Sequence, residues 1–298
     1  MNLQNAHLHK EISVISNSYL GQRVATLLNA NLVIPDIKVF SDGESRITLP
    51  KIKSKICLVI QSLYPSVDKN VLQTLMMIKK CNEERIDEIY AILPYLAYSR
   101  QDREFLDGEI VSAKFIAQLF EDVGTTKLLT VDVHSQLSLS YFSIPIKNVS
   151  AIPLLAKFAL SNLELQDPIV VSPDLGGIKR AEDLANELNT ISFFLKKKRD
   201  KQTGMVSMDE KLEMDITNRD IILIDDIIST GNSIIKAKDI LIKSNPRKIY
   251  ALCTHALLIG DAIMKIKESG IELISTNTIP NKFAKVDIGE LISQSIPF

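Results

Sequence analysis

The stretch IILIDDIISTGNS, residues 221–233, decides how this chain reads. Four apolar residues, Ile221 to Ile224, run into two adjacent carboxylates, Asp225 and Asp226. Ser229, Thr230, Gly231, Asn232 and Ser233 follow and lead into a helical pattern. A short β-branched run bounded by polar residues predicts a buried strand. Small residues at a helix start can wrap an anion with backbone N–H groups and the positive helix end. Capping by Ser229 or Thr230 is expected in any case, but a cap needs only one polar side chain, and this loop offers several around a glycine. The carboxylates would repel a bare phosphate, yet they accept well from a sugar diol. A phosphorylated sugar satisfies both halves.

Outward from this stretch, short β-branched runs alternate with helical patterns. Strands are predicted at 55–62, 86–95, 127–135, 168–174, 191–195, 220–225, 247–254 and 271–275. Helices are predicted at 67–84, 109–123, 177–189, 231–243 and 260–268, the second with Val111, Phe115, Leu119 and Val123 on one stripe. Such alternation indicates an α/β chain whose parallel-centred sheets carry helices on both faces. SIPIKNVSAIP (143–153) has two prolines and little periodicity, which sets a boundary near residue 150 and domains of 1–149 and 150–298. LLTVDVHS (128–135) echoes IILIDDIIS (221–229), which suggests a doubled architecture. Ligands of open α/β sheets sit beyond the carboxyl ends of strands. Asp132 with His134, Asp174, Asp225 with Asp226, and the loop after AILPY all fall at such ends.

Composition narrows the class. Of 298 residues, 46% are hydrophobic and 24% charged, and 35 Lys plus Arg against 36 Asp plus Glu leave a net charge of -1. That balance argues against wrapping nucleic acid or lying on a membrane surface. IYAILPYLAYS (89–99) falls short of the roughly 20 apolar residues a bilayer span needs. Cys57, Cys81 and Cys253 are scattered, with no CxxC pair for zinc. A reducing, cytoplasmic setting is expected.

The strand, acid pair and Thr-Gly loop resemble the phosphoribosyl-binding loop of the type I phosphoribosyltransferase fold. FSDGESR (40–46), PYLAYSRQDREF (94–105), VDVHSQ (131–136), SPDLGGIKRAEDLA (172–185) and THALLIGDAIMKI (254–266) follow in the order seen in the ribose-phosphate pyrophosphokinase family. The resemblance runs over nearly the whole chain. The GE of REFLDGE (103–109) and the form DDIIS (225–229) resemble its archaeal-type branch. It implies two tandem type I phosphoribosyltransferase-like domains, an ATP side in 1–149 and a ribose 5-phosphate side in 150–298, with the last ~12 residues packing back on the first domain.

Each motif also has a plain structural reading. FSDGE is a hairpin-type turn with an exposed Phe40, SRQDR a surface charge cluster, His134 a structural histidine, and FFLKKKRDKQTG (193–204) a solvated basic loop. The resemblance instead implies that Phe40, Asp42, Gly43 and Glu44 reach an ATP site shared with a neighbouring subunit. It assigns Arg100, Gln101 and His134 to ATP, and His134 with Asp174 to Mg²⁺. The family's Lys-x-Arg pair falls on Lys197 and Arg199, with Lys196 and Lys198 as the slipped register that loses the arginine. Arg199, Asp225, Asp226, Ser229, Thr230, Gly231, Asn232 and Ser233 are implied for ribose 5-phosphate. One departure stands out: many members carry Asp where this chain has Ser229, and Gly-Thr where it has Asn232-Ser233. The implied activity passes the β,γ-pyrophosphoryl group of ATP to the 1-hydroxyl of ribose 5-phosphate, in a homo-oligomer of two or more copies. A phosphoribosyltransferase, or a non-catalytic regulatory subunit of the same fold, are the alternatives.

Overall fold

The computed structural model describes residues 11–195, 197–199, 206–208 and 214–296, the two short internal segments as backbone only. The chain divides into two compact units: one runs to Val149 and takes back the segment from Ile288, and the other is Ser150–Asp287.

The first unit is built on a sheet of β1 (Ile12–Ile15), β2 (Asn31–Val33), β5 (Ile56–Ile60), β6 (Glu88–Leu93), β7 (Lys127–Val131) and β8 (Ile146–Val149). These strands are parallel and ordered β2-β1-β5-β6-β7-β8. A separate antiparallel ribbon, β3 (Asp36–Val39) with β4 (Ser45–Thr48), leaves the chain between β2 and β5. Its helices are α1 (Tyr19–Leu28), α2 (Val67–Glu83), α3 (Ser112–Asp122) and the single turn α4 (Gln136–Leu139).

The second unit holds α5 (Ile152–Asn162), β9 (Ile169–Ser172), α6 (Ile178–Glu187), β10 (Ile191–Phe194), β11 (Lys197–Arg199), β12 (Val206–Met208) and β13 (Asp220–Ile228). It continues through α7 (Asn232–Leu241), β14 (Lys248–Ala256), α8 (Ala262–Glu268), β15 (Glu272–Thr276) and β16 (Ala284–Val286). Its parallel sheet is ordered β10-β9-β13-β14-β15-β16, and β11 pairs with β12 as a separate antiparallel ribbon. The closing helix α9 (Gly289–Ser295) packs on α1 and β8 of the first unit.

Strand order is therefore the same in both units, and each places a two-stranded ribbon between its second and third sheet strands. The hydrophobic run of β13 follows from its central position. Ile221 and Leu223 pack with Ile234, Ala237 and Leu241 of α7, while Ile222 and Ile224 pack with Leu155 of α5 and Leu184 of α6. A strand covered on both faces needs apolar residues at every position, not at alternate ones.

The duplication extends to side chains. Tyr90 of β6 stands opposite Lys127 of β7, and Tyr250 of β14 opposite Glu272 of β15. Lys127 Nζ lies 2.7 Å from Glu88 Oε2 and donates to Tyr90 OH at 2.7 Å. In the second unit Lys248 Nζ lies 2.9 Å from Glu272 Oε2 and 4.6 Å from the Tyr250 ring centre. The triad recurs with its charges exchanged between strands.

The turn from first strand to first helix is also repeated. Ser16 Oγ donates to the Ile60 carbonyl at 2.8 Å, and Gly21 packs directly against Ser16. Alanine in place of a helical glycine normally gains up to about 1 kcal/mol. Here its Cβ would meet Ser16 Cβ at 2.2 Å, an overpacking that costs about 1–3 kcal/mol or more and outweighs the gain. Gly21→Ala is expected to lower the thermal midpoint; a rise would contradict the close approach.

Two expectations change. The helix predicted at 109–123 begins at Ser112, and its buried face is Ala113, Ile116, Ala117 and Phe120. Phe115, on the predicted stripe, is 54% exposed. Val111 stands at the cap and not in the helix, and the small Ala113 and Ala117 form the face that closes on the protein. The segment 143–153, read as aperiodic, contains β8 and the start of α5; Pro153 stands in the first turn of α5, where a missing N–H costs nothing.

Candidate active site

In the second unit the chain leaves β9 at Ser172 and turns sharply. Ser172 Oγ donates to the Asp174 carbonyl at 2.7 Å, and the Asp174 carboxylate accepts from the Gly176 N–H at 3.0 Å. A 3₁₀ turn, Leu175–Gly177, then feeds α6. Gly177 is required because a Cβ would stand 2.4 Å from Ser172 Oγ.

The acid pair lies beside this turn. β13 pairs with β9 only as far as Leu223 opposite Val171, while on its other side it pairs with β14 as far as Ile228 opposite Ala256. Asp225 and Asp226 thus sit within β13, on the flank that β9 has left open, and the strand predicted to end at residue 225 runs on to Ile228. Arg180 of α6 spans them: its two terminal nitrogens lie 3.5 Å from Asp225 Oδ1 and 3.3 Å from Asp226 Oδ1. Asp225 keeps 26% of its side-chain surface exposed and Asp226 only 4%, so Asp225 is the outward member. Burial, then the hydrogen bond and charge of Asp226, hold the Asp225 carboxyl well above the usual carboxylate range, against the pull of Arg180. Beneath them, the fully buried Cys253 pairs with Asp225 in register. Its thiol is pushed up by burial and by both carboxylates.

After β13 the chain is pinned from the β14 side. The Ile228 carbonyl accepts from Leu257 N–H at 2.9 Å and the Ser229 carbonyl from Ile259 N–H at 3.0 Å. The helix cap is Gly231, at φ +76°, and not Ser229 or Thr230 as expected. A left-handed cap suits glycine, and it leaves the hydroxyls of Ser229, Thr230 and Ser233 outside the capping of α7. Thr230, Asn232 and Ser233 are exposed and Ser229 is half-buried. Acid flank and anion-ready helix start therefore stand within one strand–loop–helix unit.

In the first unit the FSDGE loop closes the β3–β4 ribbon. Phe40 N–H donates to the Glu44 carbonyl at 2.8 Å, Glu44 N–H to Asp42 Oδ1 at 3.1 Å, and Gly43 takes φ +95°. Phe40 is 42% exposed, with Lys38 Nζ 5.2 Å from its ring centre. Arg100 is exposed, and Gln101 Nε2 donates to Glu109 Oε2 at 2.9 Å. The residue that organises this region is Asp102, which the sequence reading passed over. It is buried, accepts from Arg103 at 3.0 and 3.1 Å and from the Ser135 hydroxyl, and its carbonyl accepts from Tyr141 OH at 2.7 Å. Arg103 and Ser135 hold its carboxyl below the ordinary range. Asp102 thereby clamps the loop of Arg100 and Gln101 to the loop of His134, beyond the adjacent strands β6 and β7. No local signal in SRQDR separates this acid from a solvated charge cluster.

Asp174 belongs to the second unit and His134 to the first. Among the described residues no group of three or more His, Cys, Asp and Glu is arranged to hold a metal. A carboxylate such as that of Asp174 is the ligand type that suits Mg²⁺, which keeps several waters and takes few protein ligands. The side chains of Lys197 and Arg199 lie outside the described residues; the backbone of β11 sets residue 197 opposite 208 and residue 199 opposite 206. Arg180 was the other residue missed, six positions after Asp174 on the inner side of α6.

Residues 10–124 match the family described as the N-terminal domain of ribose phosphate pyrophosphokinase, and residues 146–281 match the phosphoribosyl transferase domain. A ribose-phosphate pyrophosphokinase of Sulfolobus acidocaldarius is 36% identical over 286 residues, covering 94% of this chain and 98% of the relative. Those of Aquifex aeolicus and Bacillus subtilis are 36% and 31% identical, each covering 96% of this chain and 94% and 92% of the relative. The crystal structure of phosphoribosylpyrophosphate synthetase from Mycobacterium smegmatis has the same fold, with a TM-score of 0.83 at 24% identity, covering 96% of this chain and 97% of that one. With relatives of this similarity matched along nearly their full length, the chain belongs to the ribose-phosphate pyrophosphokinase family.

Proposed function

We propose that this enzyme transfers the β,γ-pyrophosphoryl group of ATP to the 1-hydroxyl of ribose 5-phosphate, giving 5-phosphoribosyl 1-diphosphate and AMP. The observation that carries the residue assignment is the strand–loop–helix unit of 220–241, where a carboxylate pair adjoins a glycine-capped helix start. The 5-phosphate rests on the N–H groups and hydroxyls of Ser229 to Ser233, with Arg199 closing on it. Asp225 and Asp226 accept from the ribose hydroxyls. Ser229 keeps a hydrogen-bonding group where an acid is common, removing one negative charge beside the phosphate.

ATP belongs to the first unit. Arg100 and Gln101 address the polyphosphate, where a guanidinium fork matches paired oxygens. Phe40 stacks on the base, and Asp42 and Glu44, turned outward by Gly43, accept from the nucleoside of a neighbouring copy. The enzyme on this reading is a cytoplasmic homo-oligomer. Mg²⁺ would neutralise phosphate charge, with His134 as the ligand assigned in the first unit and Asp174 as the one assigned in the second. The anomeric hydroxyl attacks the β-phosphorus, the bond to the α-phosphate oxygen breaks, and AMP departs. Lys197 and Arg199 stabilise charge on the transferring group; position and charge do most of the work in phosphoryl transfer.

Incubation with ATP, Mg²⁺ and ribose 5-phosphate is expected to yield AMP and the diphosphate in equal amounts. AMP that does not depend on ribose 5-phosphate, or no AMP at any phosphate concentration, would refute the reaction.

A further inference from the structure

The two units can be aligned residue by residue from strand registers alone. Tyr90 stands opposite Leu58 of β5, and Tyr250 opposite Ile222 of β13, so Leu58 corresponds to Ile222. Leu58 pairs with Val14 of β1, and Ile222 with Val170 of β9, so Val14 corresponds to Val170. Counting onward, Ser16 matches Ser172 and Gly21 matches Gly177. Both glycines meet the matching serine: the added Cβ would lie 2.3 Å from Ser16 Oγ and 2.4 Å from Ser172 Oγ.

In this frame Asp174, Arg180, Asp225 and Asp226 correspond to Ser18, Val24, Gln61 and Ser62. Every charge of the second unit's cluster is replaced by a neutral residue in the first. Val24 is fully buried at the position of Arg180. The strand–turn–helix frame therefore folds without an arginine there, and the arginine accompanies the acids.

We propose that Arg180 is a positioning residue for ribose 5-phosphate. Its two nitrogens, one toward each carboxylate, fix the spacing and orientation of Asp225 and Asp226 so that both accept from adjacent sugar hydroxyls. A planar fork bridges two acceptors in a set geometry; lysine's ammonium, with three rotatable donors on a flexible stem, imposes no such spacing. The inference rests on the reading of Asp225 and Asp226 as acceptors for the sugar.

Arg180→Ala and Arg180→Lys are compared with the unchanged enzyme, each first checked for an intact melting transition. In Arg180→Ala, KM for ribose 5-phosphate is expected to rise about 10-fold or more while KM for ATP stays within about twofold. Arg180→Lys keeps the charge and the melting temperature but recovers only part of that KM. Methylguanidine lowers the ribose 5-phosphate KM of Arg180→Ala and leaves the unchanged enzyme unaffected. A folded Arg180→Ala enzyme with unaltered KM for ribose 5-phosphate overturns the proposal. So do equal rises for both substrates without a methylguanidine response, or full recovery by lysine. If the alanine variant does not fold, the lysine variant decides alone. Asp225→Asn separates the two layers: if it leaves that KM unchanged, the sugar assignment falls. If it raises KM while Arg180→Ala does not, only the role of Arg180 falls.

Discussion

Lys197→Ala lowers kcat by about 10³-fold and leaves the dissociation constant for ATP within about twofold, as read by AMP release and by equilibrium nucleotide binding. The effect is electrostatic. A pyrophosphoryl group in transfer carries charge on its equatorial and bridging oxygens, and a cation placed there acts more strongly in the transition state than in either bound substrate. A residue of that kind changes kcat and not ground-state binding. The ATP assignments, Arg100, Gln101 and His134, lie in the first unit, while residue 197 lies on the β11–β12 ribbon of the second. A loss of ATP affinity equal to the loss of rate would make Lys197 a binding residue. Unchanged turnover would remove it from the mechanism and favour the slipped register of Lys196 and Lys198.

Arg247→Ala lowers the thermal midpoint by roughly 5 to 10 °C, because it strands a buried charge. Asp220, the first residue of β13, has no exposed surface, and its Oδ2 accepts from Gln166 N–H at 2.6 Å and from Arg247. Its Oδ1 has no hydrogen-bond partner. Arg247 is thus the sole ion-pair partner of Asp220 among the described residues, and it also donates to the Glu164 carbonyl. Water reaches Arg247, whose side chain is 35% exposed, which softens the loss without abolishing it. Asp220→Asn added to Arg247→Ala is expected to restore most of the midpoint, since the amide still accepts from Gln166 without carrying charge. If the double variant is no more stable than the single, the stranded carboxylate is not the cause.

The central strands of both sheets were legible because burial on both faces makes each a continuous apolar run: 55–62, 86–95, 127–135 and 220–225 each hold an observed strand. Much of what escaped was short, although the ten-residue α1 escaped as well. β1 to β4 are three or four residues long, and the β3–β4 ribbon has no fully buried residue, so no apolar run marks it. α5 was hidden by a proline that serves as a helix-start residue. At the site, the acids and the small-residue loop announced themselves by composition. Arg180 and Asp102 did not, since each acts on a neighbour distant in sequence. A lone arginine in IKRAED or an acid between basic residues has no local pattern to separate it from a solvated surface.

Two units of identical strand order in one chain create a hazard during folding: a strand from one can dock in the matching slot of the other. The exchanged charges of the paired triads bear on that choice. Correct pairing sets Glu88 against Lys127 and Lys248 against Glu272. Docking β7 beside β14 would instead bring Lys127 to Lys248, and docking β15 beside β6 would bring Glu272 to Glu88. Like charges facing across a ladder repel, so each sheet carries at its base a mark that distinguishes its own strands from those of its twin.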